Sequence, residues 1–511
     1  MTSFPRVFAE EADVALWGEW YFGTTASDSV SYRTGHSDVN TRQQFIDHGR
    51  LDNKMSTSFR STNDSWPVFA FSHSLGSVTS QKLVLFTIGL AQQQVINFQG
   101  CIAMNGPEPL VAYWSTVYNT SVECLAAFHS GWDVESRDAL MLDFKIQSDS
   151  YDIGGQNYAS LTTLVVRQTF GSLQVAHGLL NRTYLFIKEI SSDGDIQTVD
   201  VIFPAHPIFL YLNPKLLKLL LEPLYHHQWC RRYPNKWAMH DLGSFPNAIG
   251  HPNGKDEAMP IEECSDMIIM TLAYVLRSGN SDYINMHQTQ LLQWARFLAD
   301  DSLIPAYQLS TDDFAGALAN QTNLALKGII GLRAVVEMAG IGSIDIPDWV
   351  YYSQVREKSA RYIQDWAMLG VNNASDPPHA TLAYNLPDSY SLLYNLYADR
   401  LLGLDFVPKW VYTMQSNFYR TILDDYEYGI PLDSRRDWAK SDWQAFAAAV
   451  AEPDVQEAMH DQLARFVEET PTTRPLTDLY DVETGRFPTG GPSFINRPVL
   501  GGFFALLALP R

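Results

Sequence analysis

Residues Pro260–Gly279 read PIEECSDMIIMTLAYVLRSG. Proline opens this stretch at a first-turn position, two acids follow it, and glycine stands just past the last periodic residue. Those signals bound a helix from Pro260 to Arg277. Along it, Glu263, Met267, Met270 and Tyr274 fall on one stripe. An apolar stripe headed by an acid suits the inward face of an inner helix in a ring of helices.

Working outward, the same 3.6-residue period returns again and again. Asn213-Pro214 supplies an N-cap and a proline start for Lys215–His227. Helices are predicted at Tyr158–Phe170, Tyr283–Ala299, Ala317–Ala339, Val350–Leu369, Ser389–Leu402, Lys409–Leu423, Asp442–Val450, Pro453–Glu469 and Pro498–Leu509. That is about eleven helices after residue 155, with spacings too unequal for a solenoid. An (α/α)6 toroid accommodates them: inner and outer helices alternate, and the long loops at one end form a funnel.

Before residue 135 the pattern differs. Short apolar runs at Ala15–Phe22, Ser29–Arg33, Pro67–Ser72, Lys82–Ile88 and Gln94–Phe98 are separated by Asn, Ser, Gly and Asp clusters. This is strand-and-turn patterning, and it predicts a partial antiparallel β-sandwich. Helical spacing at Val122–Phe128 and Glu135–Ile146 predicts a link between domains. The expected fold is mainly α with a β domain, divided into 1–135 and 136–511. One hairpin is predicted later, Tyr184–Ile190 with Ile196–Phe203 about Asp193-Gly194.

The charge balance narrows function. Lys and Arg number 36 against 57 Asp and Glu, a formal charge of −21. Such a field repels nucleic acid and anionic membrane surfaces, so neither is an expected partner. Mean hydropathy is −0.14, and no apolar run approaches the ~20 residues of a membrane helix. The N-terminus lacks the features of a secretory signal, and on that ground the chain is expected in the cytoplasm. Cys101, Cys124, Cys230 and Cys264 form no metal-type pair. They read as small buried hydrophobes, with Cys101–Cys124 the alternative bridge.

The densest polar stretch, HDLGSFPNAIGHPNGKDEAMPIEE, spans His240–Glu263. Asp241, His251, Asp256, Glu262 and Glu263 are its candidate site residues. No metal-motif spacing occurs in it, so neither metal nor cofactor is expected. Consecutive helical residues lie ~100° apart, which separates the two glutamates. Glu262, three residues into the helix, is expected to cap it, while Glu263 is the leading catalytic candidate. Asp312 and Asp313 adjoin Phe314; one is expected to face the funnel and the other to cap Ala317–Ala339. Asp433–Trp443 adds Trp438, Asp442 and Trp443 as binding candidates, and Arg497 is a candidate carboxylate clamp. Nucleophile-elbow, phosphate-loop and dinucleotide motifs are absent, which leaves carboxylate acid–base chemistry on a small molecule.

Several longer strings resemble the fungal glutaminase A family: NDSWPVFAF (Asn63–Phe71), YPNKWAMHDLG (Tyr233–Gly243), GHPNGKDEAMPIEEC (Gly250–Cys264), QLSTDDFAGALANQTNLALKGIIG (Gln308–Gly331) and TTRPLTDLYD (Thr472–Asp481). The resemblance implies a β-sandwich followed by an (α/α)6 toroid, and hydrolysis of L-glutamine to glutamate and ammonia without a cofactor. The alternative is a repurposed paralogue acting as a cyclase, isomerase or pericyclase in fungal secondary metabolism. Members look longer at the N-terminus, so the β-sandwich is expected to present an open edge that a second copy would cover as a homodimer. Asp266 stands where Asn is common, and Gln444 where Glu is expected.

Overall fold

The computed structural model describes residues 6–58, 60–103, 106–341 and 349–510. Contacts divide the chain into two compact units, one holding residues 1–95 and 110–139, the other 96–109 and 140–511.

The first unit is the β domain. Glu19–Thr24 pairs antiparallel with Phe86–Ala91, and Val30–Ser37 pairs antiparallel with Pro67–His73 and parallel with Lys54–Met55. Helices α1 (Asp38–His48) and α2 (Ser121–Ser130) belong to it. Its sheets are small, and Trp20, Phe69 and Ile88 on their strands stay exposed.

Helix α3 (Trp132–Phe170) is broken at Gly155, whose φ of 76° a side chain would strain. Among the described residues, and apart from three short 3-10 turns, eleven further helical segments follow. They are α4 (Val199–Leu212), α5 (Pro214–Trp229), α6 (Pro260–Ser278), α7 (Asp282–Asp301), α8 (Thr322–Ile341), α9 (Trp349–Gly370), α10 (Leu396–Leu401), α11 (Lys409–Ile422), α12 (Ser441–Val450), α13 (Pro453–Glu469) and the closing segment Pro498–Ala508, which is 3-10 to Phe504 and α14 (Ala505–Ala508) beyond. Packing closes them into a ring. α4 touches α6, α6 touches α8, then α8 meets α10, α10 meets α12, and α12 meets Pro498–Phe504, which returns to α4. Around it α5 packs on α4 and α6, α7 on α6 and α8, α9 on α8, and α13 on α12. This is the six-hairpin toroid.

Inner helices are apolar on nearly every side because other helices surround them. Ile261–Val275 of α6 and Val199–Leu210 of α4 are buried throughout. That environment overturns one expectation. Ile196–Phe203 is no hairpin arm: a single bridge joins Lys188 to Ile196, and the chain enters α4 at Val199. The hairpin lies earlier, Leu173–Gly178 against Arg182–Ile187. The helix predicted from Ala317 starts at Thr322, and the one predicted over Ser389–Leu402 is reduced to Leu396–Leu401. The cysteine expectation holds for Cys264, which is buried and free, and fails elsewhere: Cys101 is bonded to Cys230, not Cys124, and Cys124 is free and half-buried.

Candidate functional site

A cavity of about 400 Å³ opens at one end of the ring. Its walls come from the starts of inner helices: Asp200 in the first turn of α4, Met259 just before α6, and Arg497 just before the closing segment. Glu189, Asp193, His240, Glu257 and Asp313 also reach it, with Phe314 and Phe494 as its apolar side. Of these acids Asp200 stands in the first turn of a ring helix, where the N-terminus carries partial positive charge.

His240 organises the inner wall. Its Nδ1 lies 2.6 Å from Glu263 Oε1, and its carbonyl accepts the Val199 N–H at 2.8 Å, which sets Asp200 beside it. The His240 N–H donates to Asp256 at 3.0 Å, and Asp256 accepts from Tyr233 at 2.9 Å. Burial pushes the Glu263 carboxyl well up, and nearby Asp200 and Glu262 add to the rise despite His240. Burial also opposes charge on His240, but Glu263 and Asp200 outweigh it and lift the imidazole well above its usual range. Asp200, Asp313 and Glu257 are all raised, burial being the main cause in each; Asp200 adds to the rise of Asp313, and Asp313 to that of Glu257. Groups so perturbed in one cleft mark a functional site.

Arg497 forms the opposite wall. It donates to Glu189 at 2.9 Å and Asp478 at 3.1 Å, so its guanidinium is occupied by the protein's own carboxylates. Lys440 lies 3.5 Å from Asp478 and 3.3 Å from Asp442. Asp442 is thus a partner of this buried network; burial lifts it to about 6.

Asp312 and Asp313 serve two different cavities, and neither caps α8. Asp313 faces the large one. Asp312 lines a neighbouring space of about 20 Å³, accepting from Tyr394 at 2.8 Å and Trp443 Nε1 at 3.2 Å. Trp443 stacks on Tyr394 with centroids 4.3 Å apart. Burial lifts Asp312 to about 7; Lys440 and Tyr394 oppose this, while Glu262 and Asp433 support it. An unfolded aspartate titrates near ~4, so the native chain binds the extra proton between the two values. Its stabilisation is therefore complete below ~pH 4 and lost as pH rises to about 7. Asp312→Asn is expected to remove that decline, giving a relative gain of at most ~4 kcal/mol above pH 8. Denaturant unfolding of both proteins from pH 4 to 9 measures it; parallel curves would show that Asp312 does not titrate in this window.

The remaining candidates stand behind these walls. Asp241 Oδ1 contacts His251 Nε2 at 2.6 Å and accepts the Gly243 N–H at 2.5 Å, a loop-internal pair. Glu262 makes no cap bond; it and Asp266 hold the fully buried Lys327. Trp438 packs with Phe314 and Phe494 beneath the apolar side. Gln444 is spent on the Ile430 backbone, accepting its N–H at 3.2 Å. Asp200 and Glu189 were not foreseen: Asp200 lies in an apolar run read as strand, and Glu189 gains meaning only through Arg497. His240 and Glu257 lie in the polar stretch already singled out.

Residues 155–507 match the glutaminase A six helical-hairpin domain, and residues 2–149 match a domain of unknown function. The chain belongs to the glutaminase A family. It is 47% identical over 505 residues to glutaminase A of Aspergillus oryzae, covering 98% of this chain and 71% of that one. It is 36% identical over 603 residues to a probable glutaminase of Arthroderma benhamiae, covering 99% and 68% respectively. Among solved structures it is similar to a cellobiose 2-epimerase from Spirochaeta thermophila, with a TM-score of 0.42 and 15% identity over 72% of this chain and 97% of that one.

Proposed function

We propose that this family member is an amidohydrolase that releases ammonia from L-glutamine in the 400 Å³ cavity. The observation carrying the reading is the set of carboxyls with raised affinity for protons, Asp200, Asp313 and Glu257, facing one space beside His240. Amide hydrolysis needs one group to take a proton from water and another to deliver one to the departing nitrogen. Neighbouring acids that hold each other's protons supply both states at one pH. Asp313 is the assigned general base or acid, half-open to the cavity, with Asp200 as its buried counterpart. The excess of carboxylates suits the α-ammonium of an amino-acid substrate. Relatives named as glutaminases supply the substrate in this reading.

An enzyme-coupled ammonia assay on L-glutamine tests it. Asp313→Asn is expected to lower turnover ~100–10,000-fold while thermal melts remain close to those of the parent. No ammonia from the parent protein would end the glutaminase reading. An Asp313→Asn protein with full turnover would remove Asp313 from the chemistry.

A further inference from the structure

Asp200, His240 and Glu263 each place one ligand-type atom within 4.8 Å of the others, and all three residues are buried. They come from three separate pieces of chain: the first turn of α4, the loop before α6, and the first turn of α6. Asp200 and His240 also border the large cavity, so the cluster adjoins space from which an ion can arrive. A second observation points to a missing ligand. Glu263 is 0% exposed, yet its Oε2 meets no hydrogen-bond donor. An orphaned carboxylate oxygen in the interior is costly and calls for a partner.

Charge balance points the same way. Asp193, Asp200, Glu257, Glu263 and Asp313 surround or adjoin this end of the cavity. The fixed cation among the cavity residues, Arg497, is already shared by Glu189 and Asp478. Lys327 is held by Glu262 and Asp266. His240 lies at hydrogen-bond distance from Glu263, and both it and the already shared Arg497 act on Asp200.

We propose that Asp200, His240 and Glu263 form a binding site for one first-row divalent cation, with remaining coordination positions turned to the cavity. Two carboxylates and one imidazole are a mixed oxygen and nitrogen set, which suits Zn²⁺ or Mn²⁺ better than the all-oxygen shells of Ca²⁺. Such an ion polarises a carbonyl or lowers the pKa of a bound water, so it would serve amide hydrolysis there. That catalytic meaning rests on the proposed function, but the binding does not. Asp256, itself held by Tyr233, accepts the His240 backbone N–H and fixes that part of the loop.

The test is calorimetric titration of ZnCl₂, and separately MnCl₂, into the full chain after EDTA treatment and dialysis, with MgCl₂ as control. The expected result is one equivalent of Zn²⁺ or Mn²⁺ per chain, a melting temperature raised by several degrees, and affinity at least ~10-fold weaker in both Asp200→Asn and His240→Gln. Absence of one-equivalent binding in the parent protein overturns the proposal, so no variant's folding is a precondition. Unchanged affinity in the two variants also overturns it, because the ion then sits elsewhere. Metal binding without glutamine hydrolysis would leave this site standing and remove the glutaminase reading. Hydrolysis by the EDTA-treated protein would leave both the glutaminase reading and the binding site standing and remove the ion's catalytic meaning.

Discussion

Replacing Lys327 with methionine is expected to destabilise the ring by at least ~3–5 kcal/mol. Lys327 belongs to α8 and is 0% exposed. Its ammonium contacts Glu262 Oε1, lies 2.5 Å from Asp266 Oδ1, and sits 3.8 Å from the centroid of Phe203. Those partners belong to α6 and α4, so one side chain ties three inner helices. Burial alone would strip its charge, but Asp266 and Glu262 outweigh that and hold it firmly protonated. Burial lifts Asp266 well above the carboxylate range, with Glu262 and Glu263 assisting and Lys327 opposing. The cluster therefore sets a firmly protonated amine against Asp266, a carboxyl that burial drives toward its neutral form. Removing the amine takes the shared partner from two buried side chains, whereas Asp266→Asn leaves the Lys327–Glu262 contact in place. Asp266→Asn should thus cost no more than ~1 kcal/mol, and adding Glu262→Gln and Asp266→Asn to Lys327→Met should recover most of the loss. Equilibrium unfolding of the three proteins decides it. A Lys327→Met protein within ~1 kcal/mol of the parent would show that the ring does not depend on this buried cation.

How much of this was legible follows from where each signal resides. α6 and α13 are written locally, by proline at the start, an amphipathic period and glycine or a polar stop, and their bounds agree with the structure to within a residue. α4 is not, because burial on all sides erases the period that distinguishes helix from strand. Its acid, Asp200, was lost with it. The divergence of Glu262 from Glu263 followed from helix geometry alone, and the two do reach different partners, Lys327 and His240. What each acid meets there was illegible, since Lys327 is 65 residues away from Glu262. The same holds for Arg497, whose carboxylates lie 308 and 19 residues off. Its charge before the last helix could be seen, but that charge is already neutralised within the protein. Local sequence names ionisable groups; ring closure chooses their neighbours.

The Cys101–Cys230 bridge extends that lesson to stability, and severing it is expected to cost about 5 kcal/mol by the chain-entropy relation. The two cysteines are 129 residues apart in sequence. A loop that long restricts the unfolded chain strongly, which is the main source of the effect. It also encloses the break at Gly155, the hairpin Leu173–Ile187, α4 and α5, so opening it releases the walls that carry Asp200 and Glu189. Cys230 follows directly on the end of α5, and Cys101 lies in the segment 96–109 that belongs to the same compact unit as the ring. Neighbouring bonds hold the two pieces together as well: His227 Nδ1 lies 2.7 Å from the Gln99 carbonyl, and Arg232 donates to the Ala103 carbonyl at 3.0 Å. They belong to the folded state and leave the entropic figure as it stands; residual order in the unfolded reduced chain would bring the loss below it. Thiol titration of the denatured chain should find two reactive groups, Cys124 and Cys264, without reductant and four with it. Denaturant midpoints with and without reductant give the energy, with Cys124→Ala as a control that should leave the difference intact. Four thiols in the unreduced chain would show that no bridge forms; two thiols with equal midpoints would show that the contacts around it already fix the segment.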